Sequence, residues 1–354
     1  MKILLLLLSR IGDTLMFTPT LREIRKAYPK AQIDALVMFD ACKDVLKDNK
    51  DIDKLIHWHF IKKGPIKSLF FMLKIRKQKY DLCITPYPAN KMQYNLISFL
   101  TKAKQRLAHK YPIKKISSFS WLQTKRVPTD KTSHAIEENL KILPQLKIKS
   151  SSPHKKMFLR LNSEDKEFAS NFMKTNKIKK PLIGFHPGTS RLAGMPLKKW
   201  PEKYFARLMD LIKEKYPHST TLIFRSKDEQ ESINKICRLT RTRPIIPETK
   251  TIKQAAAILR QCSLLIANDS GLIHMAAIFK VPTITITGPT NEKKTVPRGR
   301  EHRTIFKNIP CRPCYQVGPN LKCRFRGKNK IRCLRLITPE EVFRLVRNSL
   351  QTCK

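Results

Sequence analysis

The chain has 354 residues, a length typical of about two domains, and a 41% hydrophobic content with only 10 glycines excludes a low-complexity polypeptide. Its 72 Lys and Arg against 27 Asp and Glu give a net charge of +45, which attracts polyanions such as nucleic acid, an anionic membrane surface or a phosphorylated substrate. Nine cysteines, an odd number and mostly scattered, favour a reducing compartment over a disulfide framework.

Neither a secretory signal nor a membrane span is predicted. The apolar run Ile3–Leu8 is very short, Arg10 interrupts it, and no small-residue cleavage site follows. Elsewhere no apolar run approaches the roughly 20 residues that cross a bilayer. We therefore expect a cytoplasmic protein, and its basic surface fits a peripheral position on the inner face of a membrane.

The first strand and its turn place a carboxylate where ligands bind in open parallel sheets. The unbroken run Ile3–Leu8 predicts a strand buried on both faces, and a tight turn with Gly12 and Asp13 follows it. Thr18 and Pro19 have the residue types of an N-cap and a first helical position, so we expect the first helix to open there. Asp13 is thus either a functional acid at the carboxyl end of a strand or only a helix-capping acid.

Strands and helices alternate through the first half of the chain, which predicts a parallel sheet with helices on its faces. Apolar residues at helical spacing indicate one of these helices, with Ile66, Leu69, Phe70 and Leu73 on one stripe. The predicted strands are 32–37, 54–58 and 81–85, and the predicted helices are 65–79 and 90–100.

A basic region follows at residues 101–131, where nine Lys or Arg accompany one acid. Tyr111, Phe119 and Trp121 are interleaved with these charges. The region is either a solvated loop or a basic, partly aromatic wall for an anionic acceptor. Residues 147–156 carry a serine run and a proline, which indicates a linker or loop.

The second half of the chain repeats the alternation and predicts a second doubly wound α/β unit. A capping box with proline at the first helical position opens a terminal helix. The predicted strands are 182–186, 220–224, a short one near Ile245, 263–267 and 283–287, and the predicted helices are 164–176, 201–216, 229–240, 252–261, 271–279 and 338–350.

Three loops of this second unit come directly after predicted strands, at residues 186–190, 268–271 and 288–290. Small hydroxyl residues, backbone N–H groups exposed at glycines and the nearby Lys198 are what a phosphate needs. Each loop alone is also ordinary turn chemistry, and His274 one turn further on is also a plausible structural histidine. Together the loops predict a nucleotide-type ligand, while the lack of a G-x-G-x-x-G or Walker motif disfavours dehydrogenases and P-loop enzymes.

The motifs of the chain resemble those of glycosyltransferase family 9, the lipopolysaccharide heptosyltransferases. In order they are R-I-G-D-T-L-M-F-T-P, I-G-F-H-P-G-T-S with K-K-W-P, N-D-S-G-L-I-H-M-A-A, G-P-T and I-T-P-E-E-V. The resemblance implies an α/β fold of GT-B architecture, with two Rossmann-like, doubly wound domains facing a central cleft. It implies an N-terminal acceptor-binding domain over 1–160, a nucleotide-sugar-binding domain over 161–337 with a Cys-rich basic segment at 311–333, and a terminal helix, 338–354, that packs back on the N-terminal domain.

The activity that the resemblance implies is an inverting, metal-independent transfer of heptose from ADP-heptose to the Kdo/heptose inner core of lipopolysaccharide. It implies no required cofactor, and the partners would be the ADP-heptose donor, the lipid A/core acceptor and the anionic inner-membrane surface. One alternative is a GT-B enzyme that uses another sugar nucleotide for a cell-surface glycan. A second is a non-catalytic basic nucleic-acid-binding protein, which has no need for a carboxylate opposite a nucleotide site.

Residue roles follow from the same resemblance. Asp13 would be the general base that deprotonates the acceptor hydroxyl. Lys198 would balance charge on the leaving ADP, although a long loop after Gly188 leaves Lys199 as the alternative. The donor diphosphate and the rest of the nucleotide sugar would be bound by Thr189, Ser190, Asp228, Asp269, Ser270, Gly271 and His274.

Four cysteines are clustered near the C-terminus, at Cys311, Cys314, Cys323 and Cys333. Four thiolates could close a tetrahedral structural zinc site. The 14 Lys and Arg against one Glu in residues 293–335 would lower thiol pKa values and help metal binding. The spacing lacks a second C-x2-C pair, so reduced structural thiols or a disulfide remain alternatives.

Overall fold

A computed structural model describes residues 1–89, 91–112, 118–130, 132–149, 156–189, 195–315 and 321–351. The chain divides into two compact units, Met1–Arg160 and Leu161–Lys354. Each unit has a parallel sheet whose strands alternate with helices, as the α/β pattern predicts. No helix in the described ranges is both long and apolar enough to cross a bilayer.

The first unit is built on a sheet with the order β3-β2-β1-β4-β5-β6. β1 is central because its apolar run is covered on both faces, and Ile3 lies between Ile33 and Leu82 in the parallel register. The strands are β1 (Lys2–Leu7), β2 (Gln32–Val37), β3 (Lys54–His57), β4 (Leu82–Ile84), β5 (Gln105–Lys110) and β6 (Lys125–Pro128). The helices are α1 (Ile11–Ala27), α2 (Asp40–Leu46), α3 (Phe60–Arg76), α4 (Met92–Leu100) and α5 (Ala135–Leu140).

Helix α1 begins at Ile11, so the expected start at Thr18 and Pro19 was wrong. Both residues lie inside the helix, where proline cannot donate to the carbonyl of Leu15. The Thr18 hydroxyl donates to that Leu15 oxygen instead, at 2.7 Å, and it accepts the N–H of Phe158 at 2.9 Å. A side-chain hydrogen bond thus compensates for the missing backbone donor and keeps the helix continuous through Pro19.

The second unit has a smaller parallel sheet with the order β11-β10-β9-β7-β8. Every residue of β7, β9 and β10 is buried, as expected of strands covered by helices on both faces, whereas the edge strand β11 is half-buried. The strands are β7 (Leu182–His186), β8 (Thr220–Ile223), β9 (Leu264–Asn268), β10 (Thr283–Ile286) and β11 (His302–Ile305). The helices are α6 (Ser163–Thr175), α7 (Glu202–Lys215), α8 (Gln230–Leu239), α9 (Ile252–Leu259), α10 (Gly271–Ile278), α11 (Glu292–Thr295), α12 (Arg332–Arg335) and α13 (Pro339–Gln351).

One face of helix α13 is buried in the second unit, where the helix packs against α7. Val342 and Val346 are fully buried in the same apolar cluster as Phe205. The indole N–H of Trp200 donates to the Ile337 carbonyl at 2.9 Å, just before the helix begins. The terminal helix therefore belongs to the second unit, and its expected packing on the first domain stays a prediction.

Candidate functional site

The carboxyl ends of β7, β9 and β10 are neighbours in the second sheet, so the loops that follow these strands meet at one edge. Two hydrogen bonds join the first two loops. His186 Nδ1 lies 2.9 Å from the Ser270 hydroxyl, and the fully buried Asn268 donates through Nδ2 to the Pro187 carbonyl at 2.7 Å. The predicted phosphate loops are therefore parts of one connected structure.

Lys198 is a buried cation at this edge. Its ammonium donates to Asp269 Oδ2 at 2.8 Å and lies 4.4 Å from the centroid of the Tyr315 ring. The Thr290 hydroxyl donates to the same carboxylate oxygen, also at 2.8 Å. Burial alone would raise the pKa of Asp269, but the Lys198 charge and the two hydrogen bonds outweigh it and hold this pKa below its usual range.

The chain around Lys198 is held by buried groups. Lys198 ends a 3-10 turn that begins at Met195, and the Met195 carbonyl accepts the hydroxyl of Thr189 at 3.0 Å. The N–H of Trp200 donates to Asn268 Oδ1 at 3.0 Å. Lys198 is buried and Lys199 is only half-buried, so the structure brings Lys198 to the predicted site. Ser190, the other predicted diphosphate ligand, lies outside the described residues.

Ser270 stands at the N-cap of α10, but its side chain does not cap the helix. The hydroxyl is hydrogen-bonded to His186 instead, so it is turned away from the first backbone N–H groups of α10, which begins at Gly271. N-terminal helix amides carry a partial positive charge and bind anions. His274, one turn along, is buried, and a positive charge on its ring would also lower the pKa of Asp269.

Glu229 is a buried acid at this edge that the sequence analysis missed. Its carboxylate accepts the N–H of Ser226 at 2.7 Å and lies 3.7 Å from His186 Nε2. Burial would raise the pKa of Glu229, but His186 and Ser226 outweigh burial and lower it. The predicted Asp228 beside it is exposed. The S-x-x-E spacing of a capping box was the signal that could have identified Glu229.

The close contact between the first loop and Glu229 leaves no room for a side chain at Gly188. A Cβ added at Gly188 would lie 1.8 Å from Glu229 Oε1, closer than any two such atoms can approach. The glycine of the first loop therefore allows the backbone to pass directly over a carboxylate. Its role in the described structure is close packing, in addition to the exposure of backbone N–H groups that the sequence suggested.

The third loop is held by Arg312, which the sequence analysis also missed. Its guanidinium donates to the carbonyls of Gly288 at 2.7 Å and Thr290 at 3.0 Å, and it pairs with Glu292 at 2.6 Å. The N–H of Tyr315 donates to the Pro289 carbonyl at 2.9 Å. The basic segment after β11 thus fixes the loop that positions Thr290 beside Asp269.

In the first unit, Asp13 occupies the third position of α1. Its Oδ2 accepts the N–H of Arg10 at 3.3 Å, a long capping hydrogen bond, and the side chain is half-buried. The capping role that the sequence left open is therefore present. It does not exclude a chemical role, because the carboxylate still lies at the carboxyl end of β1, the central strand of its sheet.

Two segments near the ends of β4 and β5 pack together in the same unit. The hydroxyl of Tyr111 accepts the N–H of Ala89 at 2.6 Å, and its ring is stacked 5.8 Å from that of Tyr87. Phe119 and Trp121 pack edge to face at 6.2 Å between ring centroids, and Trp121 belongs to the 3-10 turn Ser120–Leu122, which packs on α4.

The four clustered cysteines line one cavity of about 80 Å³. The expected lowering of their pKa values is wrong for two of them: burial, reinforced by the neighbouring thiols, raises the pKa of Cys314 and raises that of Cys333 to about 11. Across the described ranges, no three His, Cys, Asp or Glu side chains are arranged to hold a metal ion. The structural zinc stays a prediction.

Two helix-flanked parallel sheets, one with hydroxyl- and glycine-containing loops around a buried lysine, define a class of α/β proteins suited to a nucleotide-linked substrate. The family model for glycosyltransferase family 9 (heptosyltransferase) matches residues 70–324, well over half of the chain. The chain therefore belongs to glycosyltransferase family 9 and is a glycosyltransferase. This membership sets aside the non-catalytic nucleic-acid-binding alternative.

Individual relatives extend the similarity beyond the matched range. Lipopolysaccharide heptosyltransferase 2 of Escherichia coli K12 is 26% identical over 327 residues, which span 86% of this chain and 88% of that protein. Lipooligosaccharide heptosyltransferase 2 of Campylobacter jejuni is 29% identical over 177 residues, 49% of this chain and 52% of that protein. The solved structure of E. coli ADP-heptose LPS heptosyltransferase II superposes with a TM-score of 0.73 at 21% identity and covers 99% of each chain. This similarity confirms the predicted GT-B fold.

Proposed function

We propose that this glycosyltransferase transfers heptose from ADP-heptose to the Kdo/heptose inner core of lipopolysaccharide. Family membership supports glycosyl transfer, and the names of the E. coli relatives supply the donor and acceptor. The observation that carries the proposal is the buried Lys198–Asp269 pair at the carboxyl edge of the second sheet. A fixed ammonium among phosphate-type loops is what a departing nucleoside diphosphate requires.

The donor diphosphate would lie between Lys198, Thr189 and the N-terminus of α10. One N–H of the Lys198 ammonium is directed to Asp269, and an ammonium has two more to offer a phosphate. Asp269 and the ring of Tyr315 orient the cation before the donor arrives. As the bond between the sugar and the diphosphate breaks, negative charge accumulates on ADP, and the oriented ammonium stabilises it without a metal ion.

We assign the activation of the acceptor hydroxyl to the first unit. Asp13 would accept the proton of the attacking hydroxyl, which then adds to the anomeric carbon on the face opposite the departing ADP, so the configuration inverts. The sugar–oxygen bond to the acceptor forms, the bond to the diphosphate breaks, and the electron pair leaves with ADP. The position of Asp13 on the first turn of α1, beside the central strand, supports a fixed rather than a mobile carboxylate.

We place the enzyme in the cytoplasm, peripheral on the inner face of the inner membrane. The net charge of +45 attracts both anionic lipids and the phosphates of lipid A. The Kdo and phosphate groups of the acceptor carry the opposite sign, so the same charge would also speed acceptor encounter.

The test is ADP release by the purified full-length chain with ADP-heptose and a Kdo–lipid A acceptor, with a chelator and no added metal. We expect release that depends on the acceptor and that collapses in Asp13→Asn. Transfer from another sugar nucleotide, with none from ADP-heptose, would contradict ADP-heptose as the donor. It would favour the alternative GT-B enzyme that builds a cell-surface glycan. Release that requires added metal would contradict the role given to Lys198.

A further inference from the structure

Helix α3 exposes an apolar face. Gly64, with a φ of +73°, separates the first turn of α3 from the regular helix that continues through Arg76. The residues whose spacing predicted this helix are not in the core: Ile66 is 71% exposed and Phe70 62%. Leu69 and Leu73 are exposed with them, and spacings of three and four residues place all four side chains on one face.

The opposite face of α3 is the one that packs on the sheet. Met72 and Ile75 are buried there in a cluster with Leu4 and Leu6 of β1, and Ser68 is buried on the same side. A helix at the surface of a globular protein normally presents polar side chains outward. Helix α3 is apolar on both faces, which marks its outer face as an interaction surface.

Cations border this outer face and acids are absent from it. Residues 60–79 contain seven Lys or Arg and no Asp or Glu. All seven are exposed: Lys62, Lys63, Lys67, Lys74, Arg76, Lys77 and Lys79. Lys67, Lys74 and Lys77 are three or four residues from Phe70 or Leu73, so helical spacing places them next to the apolar stripe.

Neighbouring elements also expose apolar side chains. Helix α4 packs beside α3 and exposes Met92 and Leu96, and the 3-10 turn Ser120–Leu122 packs on α4 with Trp121 64% exposed. The indole of tryptophan combines an apolar ring with a polar N–H, and tryptophan is enriched at membrane–water interfaces. We name the surface formed by the outer face of α3 with Met92, Leu96 and Trp121 the lipid face.

We propose that the lipid face docks on an anionic bilayer, with α3 lying in the plane of the interface, Ile66, Leu69, Phe70 and Leu73 inserted below the headgroups and its lysines on lipid phosphates. An exposed apolar stripe bordered by Lys and Arg is how interfacial helices bind anionic membranes. This inference rests on the proposed function, because an acceptor carried on lipid A is itself in that bilayer.

A bilayer fits this surface better than a second copy of the chain. In a two-fold symmetric dimer the same patch meets itself, so the cations around α3 would face the cations of the partner. Residues 60–79 offer no carboxylate to neutralise them, and like charges brought together oppose association. Anionic lipid headgroups supply the missing negative charge and accommodate the apolar side chains at the same time.

Co-sedimentation with vesicles tests the lipid face directly. Wild type should bind vesicles of phosphatidylglycerol and phosphatidylethanolamine, and should bind neutral phosphatidylcholine vesicles much less. The triple variant Ile66→Ser/Leu69→Ser/Phe70→Ser should bind anionic vesicles at least about tenfold more weakly, because three large side chains no longer insert. Leu239→Ser is the matched control, since Leu239 is 50% exposed in the second unit.

A charge variant separates insertion from attraction. Lys67→Glu/Lys74→Glu should weaken binding to anionic vesicles about tenfold or more and should flatten its dependence on salt. Lys215→Glu/Lys235→Glu, two exposed lysines of the second unit, changes net charge equally and should retain most of the binding. Equal loss in both pairs would overturn the lipid face in favour of a general effect of net charge.

Failure of this inference can be told from failure of the proposed function. With a deacylated, water-soluble core acceptor, the triple variant should release ADP at the wild-type rate, which also shows that it is folded. Vesicle binding by the triple variant equal to that of wild type would overturn the inference even if transfer is normal. Loss of a wild-type dimer in the triple variant, with vesicle binding unchanged, would assign the face to a second copy instead.

Discussion

The Lys198 ammonium lies 2.8 Å from Asp269 Oδ2, and neither side chain is more than 10% exposed. Such a pair leaves a costly uncompensated charge when one member is removed. It lies at the meeting point of the loops that follow β7, β9 and β10. Lys198 therefore has two roles at this edge. Its ammonium balances the charge of Asp269, and the same ammonium is offered to a phosphate.

Replacement of Lys198 should separate this lysine from its neighbour. We expect Lys198→Ala to lower kcat by about 10²–10³, the usual effect of removing one group that stabilises developing charge. Lys199→Ala should stay within about threefold of wild type, because its side chain is half-buried and follows the turn that directs Lys198 to Asp269. Steady-state ADP release measures both, and an equal loss in the two variants would assign the phosphate to Lys199.

Asp13→Asn tests whether this acid is a base or only a cap. An asparagine oxygen can still accept the Arg10 N–H, so the free energy of unfolding should change by less than about 1 kcal/mol. It cannot take a proton at neutral pH, so transfer should fall by about 10²–10⁴. Chemical denaturation and ADP release on the same preparation provide the two values. Normal transfer in a stable variant would leave Asp13 with the capping role alone.

Gly188→Ala should be destabilising because the added methyl group would occupy the position of Glu229 Oε1. We expect a loss of about 1–3 kcal/mol in the free energy of unfolding, as for other overpacked sites, together with weaker donor binding. The double variant Gly188→Ala/Glu229→Ala removes the clash and is the control. Its cost should be clearly less than the sum of the two single variants, and strict additivity would contradict the contact.

Local patterns predicted the strands and their loops, because apolar runs, glycines and hydroxyl residues carry their information within a few positions. The two α/β units and the loop positions of Thr189, Asp269 and Lys198 were found in this way. Glu229 was missed although the S-x-x-E spacing is local, and the contacts of Glu229 with His186 and of Arg312 with the Gly288 carbonyl join residues far apart in the chain. Such pairings depend on strand order, which a single sequence does not specify.

Helical spacing has a related limit. The stripe of Ile66, Leu69, Phe70 and Leu73 correctly predicted that α3 is a helix, yet it did not indicate which face meets the sheet. The buried face of α3 is the one that carries Met72 and Ile75, which pack on the strands. A sequence pattern gives the period of an element, whereas the partner of each face is a property of the tertiary structure.

The last prediction concerns His109, which is 3% exposed at the end of β5. Burial is the main cause that lowers the pKa of His109 to about 4, and the nearby charge of Lys141 lowers it further, against the hydrogen bond to the Glu138 carbonyl. The unfolded chain, with an ordinary histidine pKa of about 6.5, binds this proton more readily. Between these two values the unfolded state holds more protons, so stability falls as the pH falls.

As the pH falls from about 7.5 to about 5, we expect the free energy of unfolding to decrease by about 2 kcal/mol because His109 takes up a proton in the unfolded chain. His109→Gln cannot take up the proton, so this part of the pH dependence should disappear in the variant. Urea denaturation of both proteins at several pH values measures the difference in slope. The exposed His218→Gln is the control and should keep the wild-type slope. Parallel curves for wild type and His109→Gln would show that the buried imidazole does not contribute to acid sensitivity.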